Sequence, residues 1–139
     1  MANTVADFFD RRLDGRTAPL AAGDLVVIAV LFGAGTVHHN GVAYVAANPG
    51  YLAGTLAPFF LGWIVAAPLL GAYAPGAAES VKAAVPLALR SWLVADLIAL
   101  GVRASPLVRG GVELSFVAVT LGVGFVGLTI WRVLFFKLR

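Results

Sequence analysis

The sequence predicts an all-α integral membrane protein, a bundle of four transmembrane helices with a short interfacial helix at its N-terminus. Composition comes first: of 139 residues, 60% are hydrophobic and 12% charged, where soluble domains carry about 45–50% and 25%. The mean hydropathy of +0.93 says the same. A small water-soluble domain has too little interior to bury that much apolar surface, so the excess faces lipid. The second observation is length: four apolar segments each approach the roughly 20 residues needed to cross about 30 Å of hydrocarbon. The third is where the bases fall, at the ends of those segments rather than within them.

The N-terminal stretch 1–16 reads as an interfacial or cytoplasmic segment. Val5, Phe8, Phe9 and Leu13 share one helical face, with Asp7, Asp10, Arg11 and Asp14 mostly elsewhere. That pattern suits a helix lying in the membrane interface, and a frayed polar tail is the alternative. A cleaved signal peptide is not expected, because the polar stretch ahead of the first apolar run is too long.

The spans fall near residues 19–38, 51–73, 85–102 and 111–135, forming one transmembrane domain. The connections "HNGVAYVAANPG", "APGAAESVKAA" and "RASPLVRG" carry the Gly, Pro, Asn and Ser of loops. Four spans put both termini on one side, together with Arg11, Arg12, Arg16, Lys82, Arg132, Lys137 and Arg139, and with Arg90 nearer that side. The other side has Arg103 and Arg109. The positive-inside rule then places both termini in the cytoplasm of a cell bearing this protein in its plasma membrane.

Polar residues inside the spans are the candidate sites. Asp96 lies mid-span in "RSWLVADLIALGVR", where a charged acid costs about 2.5–3.5 kcal/mol by insertion scales. It is expected to be neutral and to hydrogen-bond a neighbouring helix, with Thr120 or the carbonyl of Ile64 (freed by Pro68) as partner. Either it ties helices together or it handles a proton or solute in a polar cavity. Arg103 shares its face two turns on and is expected to snorkel outward. Asp24, about one turn into the first span, either pairs with Arg132 of the fourth or simply favours the positive end of its helix.

His38 and His39 end the first span. Adjacent residues point about 100° apart on a helix, so they do not form an i, i+4 metal pair. A pH-sensitive site with Glu113 or Arg103 and plain exposed helix-end residues are the two readings. Pro58 and Pro68 are expected to break the second span, and Gly122, Gly124 and Gly127 to permit close helix packing, as do Ala29/Gly33 and Ala118/Gly122 at small-xxx-small spacing. Trp63 falls near mid-membrane, while Trp92 and Trp131 lie where interfacial anchors sit.

No catalytic set, metal site or cofactor motif is expected. The chain has no cysteine, no lysine inside a span, and no phosphate-cradling loop before a helix. Its bases do not form the patch a nucleic-acid partner needs. Low Lys against high Arg, with abundant Ala, Val and Gly, suits a high-GC prokaryote.

"DLVVIAVLFGAG" opening at Asp24, then His38, "TLAPFFLGW" at 55–63, "SWLVADLIALGVR" at 91–103 and a last span ending "TIWR" resemble the small prokaryotic membrane proteins called domain of unknown function 3054. The resemblance covers about residues 20–135, with Asp24, His38, Thr55, Pro58, Trp63, Trp92, Arg103 and Arg132 matching the family pattern. The arginine that precedes the histidine in bacterial members is absent from "GTVHH". The family implies the fold and no activity. The cost of the mid-span Asp96 and the prolines of the second span favour, as the expected function, a small transporter or channel-like protein for a solute or proton, acting as an oligomer in the lipid bilayer. The alternative is a non-catalytic accessory subunit of a larger membrane complex. An enzyme is not expected.

Overall fold

The computed structural model describes residues 4–105 and 113–138. Helices α1 (Thr4–Asp10), α2 (Ala18–Asn40), α3 (Val42–Ala47), α4 (Pro49–Leu69), α5 (Val81–Ala104) and α6 (Leu114–Lys137) follow in order, with a 3-10 turn at Gly15–Thr17. Four of them, α2, α4, α5 and α6, are long and apolar enough to span a membrane. They run up and down and pack as a ring: α2 on α4, α4 on α5, α5 on α6, and α6 back on α2. The protein is a multi-pass helical membrane bundle.

The ring turns its small and aromatic residues inward. On α5, Ala84, Ala88, Ser91, Trp92, Ala95, Asp96 and Ala99 are buried, the three-to-four residue spacing of one helical stripe. Leu93 and Leu97 of the same helix point out, with Val26 and Val30 of α2, Leu61 and Ile64 of α4, and Val126 and Ile130 of α6. Burial of large aliphatics drives packing in water, but lipid is as apolar as leucine, so close approach and ring stacking hold these helices. A Cβ at Gly62 would run into the Ala95 carbonyl, so α4 and α5 meet backbone to backbone. A Cβ at Gly124 would enter the Trp92 indole, and one at Gly127 the Leu31 side chain. Phe32 stacks on Phe59 at 4.4 Å and on Trp92 at 5.6 Å between centroids.

Several boundaries and contacts differ from those expected. The second span ends at Leu69, not 73, because the chain reverses at Gly71 (φ 85°), a left-handed conformation that favours glycine. Arg90 closes that helix end by donating from Nε and Nη2 to the Leu70 carbonyl at 2.9 and 2.6 Å, and Arg12 donates to Leu69 O at 3.1 Å. The third span starts at Val81, where the Ser80 hydroxyl caps the Ala83 N–H at 3.2 Å, so part of the expected second loop is helix. "VAYVAA" in the first connection forms α3 between Gly41 and Pro49. The first span extends to 18–40. The fourth runs to Lys137, the start expected for it at 111 lying outside the described residues, as does Arg109.

Pro58 and Pro68 do not break the second span. α4 runs through both, with Pro58 buried, as membrane helices allow where neighbours satisfy the freed carbonyls. Of the packing glycines, Gly122 meets nothing within 4 Å and is exposed. Ala118 beside it is also exposed, so that small-residue face is outward. Trp92 is no interfacial anchor: it is wholly buried and donates from Nε1 to the Thr120 carbonyl at 3.1 Å.

Candidate functional site

Polar side chains gather at two levels of the bundle. The first lies toward the end that carries the termini. Asp24 and Arg132 are both 0% exposed there and form an ion pair at 2.6 Å. The fork is two-pronged: Arg132 Nη2 donates to Asp24 Oδ2 at 2.6 Å and Nε to Oδ1 at 3.3 Å. The remaining guanidinium hydrogens reach the chain that joins α4 to α5 and the first turn of α5. Nη1 donates to Ala84 O at 2.8 Å and to Ala72 O at 3.4 Å. Tyr73 completes the set, its O–H donating to Asp24 Oδ2 at 2.8 Å while it accepts from Trp63 Nε1 at 2.7 Å.

Burial and the adjacent Asp24 carboxylate push the Tyr73 phenol well above its usual range, so it remains a donor. The first span, the second, the fourth and the α4–α5 turn are thereby joined through one carboxylate. The N-terminal segment docks on the same turn, Asp14 N–H donating to Tyr73 O at 2.8 Å. A fully hydrogen-bonded buried ion pair of this kind is a fixed joint, since opening it strands a charge.

The second level lies toward the opposite end. Asp96 is 0% exposed, and the Thr120 hydroxyl sits 2.8 Å from its Oδ2. Of the two partners read from the sequence, Thr120 is the one in contact. The same hydroxyl lies 3.2 Å from the Val117 carbonyl. The pair therefore accepts either proton placement. An ionised acid takes the threonine hydrogen, whereas a protonated one donates to Thr120, which then donates to Val117 O. Asp96 Oδ1 is buried and has no partner among the described residues.

Above Thr120 lies a cavity of about 320 Å³, framed by α2, α4, α5 and α6. Leu31, Phe32, Phe59, Phe116 and Val123 line its body, and Thr36, His39, Asn40, Tyr51, Thr55 and Arg103 its upper part. His39, Asn40 and Tyr51 are exposed, so the cavity opens at the end away from the termini. Below it the stacked rings of Phe32, Phe59 and Trp92, with Trp63 tilted against Trp92, close the bundle.

Arg103 does not simply snorkel away. Its guanidinium lies over the Phe116 ring at 4.5 Å, and its Nε is buried without a partner among the described residues.

The five polar residues singled out from the sequence thus divide. Asp24 and Arg132 form the inner joint, Asp96 the floor beneath the cavity, and Arg103 its wall. His38 joins neither group. It is exposed, its ring edge-on to that of His39 at 5.4 Å, and the helical rotation between neighbours turns His39 rather than His38 to the cavity. Glu113 is exposed and does not line it. Tyr73, Tyr51 and Thr36 were not singled out. The signal for Tyr73 was an amphipathic ring just past a chain-turning Gly, near a buried acid. Among the described residues no group of three or more His, Asp or Glu could hold a metal ion.

Four membrane-length helices closed around buried polar joints define a small polytopic membrane protein. Residues 21–135 match the family described as "Protein of unknown function (DUF3054)", and the chain belongs to that family. No curated protein and no solved structure matches it.

Proposed function

We propose that this chain is a transporter or channel-like protein for a small solute or proton, working as a homo-oligomer in the plasma membrane with both termini in the cytoplasm. The observation that supports this is the one-sided cavity ending on the Thr120–Asp96 pair above a plug of stacked rings. A pocket reached from one face and shut off from the other is what alternating access requires at one stage of its cycle. Intramembrane acids are expensive and face cavities or partners where they are used. In this reading the bases around the termini face the cytoplasm, the cavity faces outward, and Asp96 exchanges a proton with whatever occupies it. The inner joint is the static half of the bundle, and the protein is not an enzyme. A single bundle of four helices has little room for a path of its own, so assembly supplies the second wall. Native mass spectrometry of gently purified protein checks this by showing one defined homo-oligomer.

The test is reconstitution into vesicles. A trapped pH-sensitive dye follows decay of an imposed proton gradient, and stopped-flow light scattering follows swelling on solute entry. Wild-type vesicles are expected to outpace protein-free ones several-fold in at least one readout. Asp96→Asn is expected to change that rate while melting as the wild type does, because an amide makes the same bond to Thr120. Rates equal to protein-free vesicles in both readouts would sink the transport reading. Copurification with one larger complex would then favour the accessory-subunit role.

A further inference from the structure

We infer that the outward cavity is a binding site for an organic monocarboxylate, with Arg103 as the group that holds the carboxylate. The inference rests on the cavity being a solute site, not on the solute being carried across.

The charge argument comes first. Among the described residues the ion pairs are Arg16–Asp14 and Arg132–Asp24, and neither reaches this cavity. Among the described residues no acid lines it, and Asp96 is reached only through Thr120, to which it is bonded. Among these residues Arg103 is thus a cation with no counter-charge, in a pocket walled by rings. Its Nε is buried and has no partner among the described residues, a desolvation cost carried whether or not a ligand is bound. An arriving anion supplies the missing counter-charge.

The shape of the donor selects the anion. With its guanidinium carbon 4.5 Å from the Phe116 ring centroid and its Nε covered, Arg103 presents its two terminal Nη groups, whose paired N–H groups form a fork that fits a carboxylate. A dianion such as phosphate needs further donors. The Thr36 and Thr55 hydroxyls give theirs to Phe32 O at 2.7 Å and Tyr51 O at 2.8 Å, and Asn40 gives its amide to Thr36 O at 2.9 Å. Among the described residues the lining thus offers one arginine, with His39 and Tyr51 as its polar side chains not committed in this way, which suits a single negative charge. The rest of the ligand meets Leu31, Phe32, Phe59 and Val123, so its body is apolar. A volume of about 320 Å³ is at the small end of ligand pockets, about 300–1,000 Å³. A ring or short alkyl chain fits.

Two sources share this chemistry, a soluble aromatic acid and a fatty acid from the bilayer. Equilibrium binding to the purified full-length protein in detergent, by isothermal titration, separates them with four probes: benzoate, octanoate, benzyl alcohol and inorganic phosphate. Benzoate or octanoate is expected to bind at least about tenfold more tightly than benzyl alcohol and phosphate, and Arg103→Gln to weaken it by a similar factor. Binding of both acids, or of benzoate alone, indicates a soluble acid, and binding of octanoate alone a membrane-derived one. Either supports the site.

Equal binding of the alcohol, preference for phosphate, or no binding of either acid to wild type overturns it. So does a folded Arg103→Gln protein that binds as wild type does. Where that variant does not fold, the acid-against-alcohol comparison on wild type decides alone. Carboxylate binding without flux in vesicles would keep this site and remove the transport reading. Flux without carboxylate binding would do the reverse.

Discussion

Asp24→Ala is expected to be the most damaging single substitution in this chain, lowering stability by about 3–5 kcal/mol. The reason is what it leaves behind rather than what it removes. Arg132 is 0% exposed and would keep its charge with only the Ala84 and Ala72 carbonyls to face. Tyr73 would lose its acceptor, and with it the reason for the Trp63 indole to point where it does. The measurement is thermal unfolding of detergent-purified protein followed by tryptophan fluorescence, with size-exclusion profiles alongside. A double variant, Asp24→Asn with Arg132→Gln, is expected to recover part of the loss, because no charge is left unpaired. An Asp24→Ala protein that melts with the wild type would show that the joint does not hold the bundle.

Gly62→Leu is expected to be the next most severe, for a different physical reason. The atoms a side chain would meet are the carbonyl and Cα of Ala95, and backbone cannot step aside as a flexible side chain does. α4 and α5 would have to part along their length. Overpacking of a tight core costs about 1–3 kcal/mol when side chains can adjust, so this change belongs at the top of that range. Gly122→Leu is the control, since a Cβ there would meet no described residue of another element within 4 Å. It is expected to be silent in the monomer, and a comparable loss there would place a second chain on the Ala118/Gly122 face. Both comparisons use the same melting assay. An unaffected Gly62→Leu protein would mean that the helices are not in backbone contact.

What could be read from the sequence was whatever depends on depth. Asp24 and Arg132 sit a similar distance from the ends of the antiparallel first and last spans, and that made their pairing one of two readings, the one the structure shows. The same arithmetic made Thr120 one of two partners for Asp96, and the one in contact. What failed depends on rotation about a helix axis or on the path of the chain between spans. His38 and His39 differ by one position, and only neighbouring helices decide which faces inward. Arg103 had an open route to the interface, and the Phe116 ring that captures it belongs to the next helix. Tyr73 was assigned to a span because the apolar run continues past Leu69, whereas Gly71 turns the chain so that the phenol swings back into the bundle. The prolines misled in the opposite direction: α4 continues through Pro58, as helices in a bilayer allow.

The Asp24–Arg132 joint also sets an order of events during synthesis. Its two halves are separated by 108 positions, with two complete spans between them. The acid enters the bilayer with the first span to be made, and its base arrives only with the last. Throughout that interval the cation that neutralises Asp24 in the finished bundle is missing, and an unpaired acid in a span carries an insertion cost. The first helix therefore takes up its final place in the bundle only once α6 has arrived, so the oldest and youngest spans settle together.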